Sequence, residues 1–204
     1  SHLSDSEIRE TLMLQERLAL IEQQKECQGS FLEFINYMWP EFICGRHHKI
    51  FAQKLEEVAE GKCKRLIINM PPRHTKSEFC STYFPAWIMG KQPNRKIMQT
   101  THTGELAVRF GRKVRNMMDT EEYKKIFNKV ELQADSKSAG RWETNKGGEY
   151  FAAGVGGAIT GRGADLLIID DPHSEQDALS PTAMEACWEW YTSGPRQRLQ
   201  PGGA

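Results

Sequence analysis

A chain of 204 residues, 39% hydrophobic and 26% charged, can bury one real core, which excludes a disordered tail and fits one α/β domain with room for a small added lobe. Lys plus Arg and Asp plus Glu balance at 27 each, so no global positive field exists to hold nucleic acid without sequence preference, and any such contact is expected to be local or transient. No apolar run approaches the roughly 18 residues of a membrane span and no charged-then-apolar leader opens the chain, so the expectation is a cytoplasmic protein with no membrane partner.

Ser1-His2 reads as a tag remnant and is set aside. Ser4-Asp-Ser-Glu7 is a capping box ahead of Ile8, Leu12 and Leu18, which predicts an amphipathic, largely solvated helical arm over residues 1–29. A second box, Ser30-Phe-Leu-Glu33, opens a short helix that buries Phe31, Phe34, Ile35 and Met38 and stops at Pro40. A third helix is predicted from about His47 to Glu60, ended by Gly61. The period then changes. RLIINM, Arg65 to Met70, predicts a strand buried on both faces of a parallel sheet. Phe79, Cys80, Tyr83, Phe84, Trp87 and Ile88 form a helical stripe running to Gly90, with a kink expected at Pro85. KIMQTT, Lys96 to Thr101, is the next strand, and Thr103 caps a helix bearing Leu106, Phe110, Val114 and Met117. Thr120 opens a shorter helix, and RWETN, Lys146-Gly147-Gly148 and EYFAAGV read as a hairpin. DLLIIDD, Asp165 to Asp171, is the most apolar strand and ends in two carboxylates. Ser180-Pro181 starts a last helix ahead of Met184, Cys187, Trp188 and Tyr191. The five cysteines (Cys27, Cys44, Cys63, Cys80 and Cys187) are odd in number and include no C-x-x-C pair, which points to reduced thiols in place of zinc or disulfides. The alternation of strands and helices predicts a doubly wound α/β domain.

Between the RLIINM run and the following helix lies MPPRHTKSE, Met70 to Glu78. Aligned on Lys76 and Ser77, the phosphate-loop pattern G-x-x-x-x-G-K-[ST] would place glycine at Met70 and Thr75, and neither is one. The context still suits a phosphate loop, because a helix start offers unpaired N–H groups and the positive end of the dipole. Lys76 can reach the β- and γ-phosphates, and the Ser77 hydroxyl can ligate Mg²⁺. The alternative is a surface lysine beside a helix cap. About ninety residues on, four aliphatics ending in Asp170-Asp171 match the pattern in which the first acid holds Mg²⁺ and the second activates water. A plain strand-end turn is the other reading. Together, in this order, the two motifs point to a nucleotide hydrolase that uses Mg²⁺. A β-branched Thr75 resists the positive φ that glycine admits, which predicts a shifted loop backbone, weaker nucleotide affinity, or both. Arg73 can compensate with a two-pronged grip on a γ-phosphate.

NMPPRHTKSEF, the R-x-G-R-K-V-R helix, GRWETNKGGEY and GVGGAITGRGADLLIIDDPHSEQ together resemble the ATPase domain of the large terminase subunit of tailed bacteriophages, the motor that packages DNA into a procapsid. The resemblance covers roughly residues 30 to 204. It implies a P-loop NTPase of the RecA/ASCE type: a doubly wound, mostly parallel sheet flanked by helices, with an N-terminal helical extension. It implies ATP and Mg²⁺ as cofactors, and double-stranded DNA, portal protein and small terminase as partners. A homo-oligomeric ring in the host cytoplasm, docked at the procapsid portal, is implied as well. On the same basis Lys76 and Ser77 are the loop pair, flanked by Pro72, Arg73, His74 and Thr75. Arg73 is the loop arginine, Asp170 the Mg²⁺ acid and Asp171 the catalytic carboxylate, where many terminases carry Glu. Trp39, Arg46 and His48 are candidates for adenine binding, against the readings of a core aromatic, a solvated arginine and a helix-start histidine. Arg162, among the glycines of GVGGAITGRGAD, is a candidate arginine finger on a neighbouring subunit's ATP, the alternatives being a contact in cis or a solvated loop. Compared with the family, the chain lacks the coupling motif and the nuclease half, so the expectation is a truncated ATPase domain, weak or inactive alone. Two other readings stay open: a helicase- or RecA-like ATPase on another polymer, and a nucleotide-binding scaffold without turnover.

Overall fold

The computed structural model describes residues 4–159 and 161–204, so Ser1, His2, Leu3 and, in the glycine-rich motif, Thr160 lie outside the described residues. Helix starts fall where the capping residues place them. α1 (Asp5–Gly29) begins at Ser4 with a complete capping box, α2 (Phe31–Met38) at Ser30 and α3 (Arg46–Ala59) at Gly45. α1 is exposed along almost its whole length and is tied down near its end, where the Gln24 and Gln28 amides donate to the carbonyls of Lys125 and Ile126. A helix begins at Lys76, widens to a π turn over Glu78–Tyr83 and tightens into α4 (Phe84–Lys91). The widened turn replaces the expected kink. Pro85 has no N–H to offer the preceding turn, and Phe84 N–H reaches back five residues to Phe79.

The sheet has the order β2-β3-β4-β1-β5, where β1 is Lys96–Thr101, β2 Leu132–Ser138, β3 Arg141–Thr144, β4 Glu149–Gly154 and β5 Leu166–Ile169. β1 runs parallel to both β4 and β5, while β3 pairs antiparallel with β4 and with β2. α5 (Gly104–Met118), capped by Thr103, packs on β4 and β1; α6 (Glu121–Ile126) and α7 (Pro181–Ser193) start at Thr120 and Ser180.

This architecture corrects the expected doubly wound, mostly parallel P-loop sheet. The sheet is mixed, its parallel part is limited to β4-β1-β5, and Arg65–Met70 is not a strand of it. The physical reason lies at the outer edge of β5. Residues 199–204 run along that edge, with a parallel bridge from Ala164 to Leu199, Ala204 N–H donating to Asp165 and Leu167 N–H donating to Ala204. On the far side of this strip, Lys64 Nζ and the Arg65 guanidinium donate to the carbonyls of Gly202 and Gly203. Arg65–Met70 therefore stays extended without a ladder: Leu66, Ile68 and Met70 pack on the core, and Ile67 is 85% exposed. The half-buried β5 follows from the same arrangement, burying Leu166 and Ile168 but leaving Ile169 open.

The core lies between the sheet and the helices. Phe31 of α2 meets Phe79, Phe84 and Trp87 at ring separations of 5.7, 5.6 and 5.4 Å, and Trp142 stacks on Tyr150 across the hairpin at 4.8 Å. Three of its buried side-chain donors are matched: Trp87 Nε1 donates to the Cys27 carbonyl, Tyr123 Oη to that of Ala86, and Trp142 Nε1 to that of Gly111. These bonds hold the rigid body on which the loop after Met70 and the end of β5 are mounted. Among the described residues no helix is long and apolar enough to cross a membrane.

Candidate functional site

The parallel register places β5 so that Ile169 lies beside Thr100 and the chain leaves the sheet at its C-terminal edge, where Asp170 N–H donates to Thr100 and Asp171 accepts from His102 N–H. Crevices beyond the carboxyl ends of parallel strands are where open α/β sheets place ligands. The loop from Pro71 to Thr75 arrives at the same edge. Lys76 Nζ lies 2.5 Å from Asp171 Oδ1 and 3.8 Å from Asp170 Oδ1, and an open cleft beside it is lined by Ile68, Asn69, Met70 and Pro71. Burial alone would lower the Lys76 pKa. The hydrogen bond and charge of Asp171, with the charge of Asp170, outweigh it and hold the ammonium above its ordinary value.

The two acids are held differently. Asp170 is 6% exposed and its Oδ2 accepts from Ser81 Oγ at 2.7 Å, while Gln99 Nε2 of β1 donates to Ser81 Oγ at 3.1 Å. Asp170 is thus fixed by a chain of buried hydrogen bonds. Asp171 is well exposed, so its pairing with Lys76 adds at most about 1 kcal/mol to stability and leaves the carboxylate free to exchange partners. Close by, burial and then the Asp170 charge push the Cys80 thiol up to about 12, so it is neutral and takes no part as a thiolate.

Backbone strain marks the same place. Among the described residues, the non-glycine positions with positive φ are Arg73 at 62°, Thr75 at 64° and Asp171 at 44°. Left-handed conformations in such residues collect at functional sites, and a β-branched threonine there is exceptional. Alternating handedness along Arg73, His74 and Thr75 is the backbone pattern that gathers successive N–H groups into an anion-binding hollow. Thr75 also accepts the first helical bond, from Phe79 N–H at 2.9 Å, so Lys76 and half-buried Ser77 stand in the first turn of a helix.

Of the residues predicted from sequence, the structure brings Lys76, Asp170 and Asp171 into contact, with Thr75 and Ser77 on either side of the lysine. Pro72, Arg73 and His74 are exposed on the loop, His74 Nδ1 lying 2.9 Å from the Pro72 carbonyl. His48 meets the loop through Thr75, Nε2 to Oγ1 at 2.8 Å. Trp39 stacks on Tyr83 at 5.9 Å and against Phe42, and Arg46 is exposed at the start of α3. Arg162 is elsewhere: its guanidinium pairs with Glu149 and covers the Phe151 ring at 4.7 Å. Glu149 is level with Lys96 at the beginning of the parallel strands, so it lies roughly 16 Å along the sheet from Asp170, five residues at about 3.3 Å each. Ser81 and Gln99 were missed. Gln99 had a weak signal, as an amide inside the KIMQTT run read as a strand; Ser81 had none, since its partner is 89 residues away.

Mg²⁺ would find hard oxygen donors here, Asp170 and the Ser77 hydroxyl, which is the chemistry that ion prefers. Among the described residues there is no cluster of three or more His, Cys, Asp or Glu side chains fit to hold a metal alone. Compared with known proteins, the chain matches no family model and no curated sequence.

Proposed function

We propose that the chain is a Mg²⁺-dependent ATPase domain of the kind that drives double-stranded DNA into a procapsid in the large terminase of tailed bacteriophages. One observation carries the chemistry: Lys76 of a strained loop meets the paired acids 170 and 171 across 95 residues of sequence, at the carboxyl ends of the parallel strands of a mixed sheet. The motif resemblance carries the motor, with portal protein, small terminase and a homo-oligomeric ring in the host cytoplasm as its setting.

Each residue has a task in this reading. The loop N–H groups and Lys76 take the phosphates, and Arg73 grips the γ-phosphate from the exposed face of the loop. Ser77 and Asp170 would hold Mg²⁺, which would supply positive charge to offset the charge that develops on the phosphates during transfer, and Ser81 with Gln99 keeps Asp170 from turning away. An incoming γ-phosphate competes with Asp171 for Lys76. Its arrival frees the carboxylate to orient water and accept its proton, so the base is engaged until substrate is present. The Lys76–Asp171 pair also favours a second reading, a scaffold that binds nucleotide without turnover.

Phosphate release from ATP, measured with and without Mg²⁺ and double-stranded DNA, separates these. Mg²⁺-dependent release supports the ATPase; nucleotide binding with no release at any DNA concentration supports the scaffold; absence of both binding and release contradicts the proposal.

A further inference from the structure

A threonine at φ 64° inside a working loop needs something to hold it, and the structure contains such a device. His48 is buried in the first turn of α3, its ring packed against Phe42 at 4.8 Å and Phe79 at 5.2 Å. Gly45 N–H donates to His48 Nδ1 at 2.8 Å. That bond leaves Nδ1 as the acceptor, so the ring proton sits on Nε2 and points to Thr75 Oγ1, 2.8 Å away. Thr75 Oγ1 in turn donates to the His74 carbonyl at 2.6 Å. The chain of donors runs one way, from the Gly45 backbone through the imidazole to the threonine hydroxyl and back into the loop. It needs a neutral ring. Burial of His48, and then the neighbouring His47 and His74, lower its pKa and favour that form.

We propose that His48 is a positioning residue that latches Thr75 in the left-handed conformation, so that the His48–Thr75 pair takes the place of the glycine that the phosphate-loop pattern would put at position 75. Glycine adopts this conformation at no steric cost, whereas threonine does so only against a local penalty that the surroundings must offset. The latch enters from α3 and closes on the residue just before Lys76, so it fixes the loop where the helix begins. Its effect on nucleotide affinity rests on the proposed ATPase reading. Its effect on the loop does not.

The test is amide hydrogen exchange over residues 73–77 in the nucleotide-free protein, paired with titration of ATPγS and Mg²⁺. Thr75→Val keeps the β-branched shape and removes the hydroxyl. It is expected to speed loop exchange by about three- to tenfold, the factor that a net hydrogen-bond free energy converts to, and to weaken ATPγS binding by a similar factor. His48→Gln, whose amide can reach where Nε2 stood, should remain close to the wild-type protein, while His48→Asn should match Thr75→Val. In a Thr75→Gly background, His48→Asn should change nothing further, because glycine needs no latch. Unchanged exchange in Thr75→Val would overturn the proposal. So would an equal effect of His48→Asn with and without glycine at 75, which would confine His48 to capping α3. Should the wild-type protein bind no ATPγS while the exchange pattern holds, the ATPase reading falls and the latch stands.

Discussion

Two turns of this molecule bend the backbone through positive φ and do so by different means. In the β3–β4 hairpin the left-handed residue is Gly147, at φ 80°, exposed and with open space where a side chain would be. In the loop before Lys76 the left-handed residues are Arg73 and Thr75, and at the end of β5 it is Asp171. The hairpin needs only its shape, and glycine supplies it without strain. The loop and the β5 end need both the shape and the side chains. They therefore carry strain, offset by hydrogen bonds from His48, by the Lys76–Asp171 pair, and by the Ser81–Gln99 support behind Asp170. In the proposed reading, conformational cost is accepted where the chemistry requires particular side chains.

The comparison is most sharply broken at the acids. Asp171→Asn retains a residue that tolerates positive φ but removes the base, so turnover should fall by roughly two to four orders of magnitude with ATP still bound. Asp170→Asn should instead raise the Mg²⁺ concentration needed for half-maximal release. Identical Mg²⁺ titrations for the two variants would show that the acids do not divide their roles.

Next in size is the support behind the site. Ser81→Ala leaves the buried Asp170 Oδ2 without its donor and should cost about 1–3 kcal/mol in denaturant unfolding, with a matching loss of Mg²⁺ response. A stability unchanged from the wild-type protein would mean that another donor fills the place.

The turns themselves can be compared by the same pair of residues. Gly147→Ala should cost about 1 kcal/mol, and at position 75 the Gly variant should be more stable than the Ala variant by about the same amount, since both sites impose positive φ. If Thr75→Ala proved as stable as Thr75→Gly, the loop would not be strained there.

The smallest effect is a dependence on pH. The His48 pKa is lowered in the folded state, so the unfolded chain takes up the proton first as pH falls. The stability due to the neutral ring is complete above the unfolded value of about 6.5 and is lost as pH drops below it through the folded value. Denaturant midpoints at pH 7.5 and 5.5 should separate more in the wild-type protein than in His48→Gln; equal separations would remove His48 from the titration.

What could be read in the sequence was local. Ser4, Ser30, Thr103, Thr120 and Ser180 all cap the helices they announce, because the capping bond spans only three residues. The β3–β4 hairpin was equally legible from its glycine turn. Pairing over distance was not. An apolar branched run such as RLIINM has the same pattern whether or not a partner strand lies beside it, and here residues 199–204 stand between it and β5. β2 escaped notice because LQADSKS is polar and mostly on the surface of the sheet's edge. At the site, the lysine and the acids were legible as motifs. The Ser81 support and the hold of His48 on Thr75 depend on side chains from elements that meet only in the fold.

The central claim is that Lys76, its loop and the end of β5 form a phosphate site, and calorimetric titration of ATPγS with Mg²⁺ into the wild-type protein and Lys76→Ala tests it directly. The account predicts one molecule of nucleotide per chain for the wild-type protein, and no measurable binding by the variant at an unchanged fold by circular dichroism. Equal affinity in the two proteins, or no binding by the wild-type protein, would contradict it.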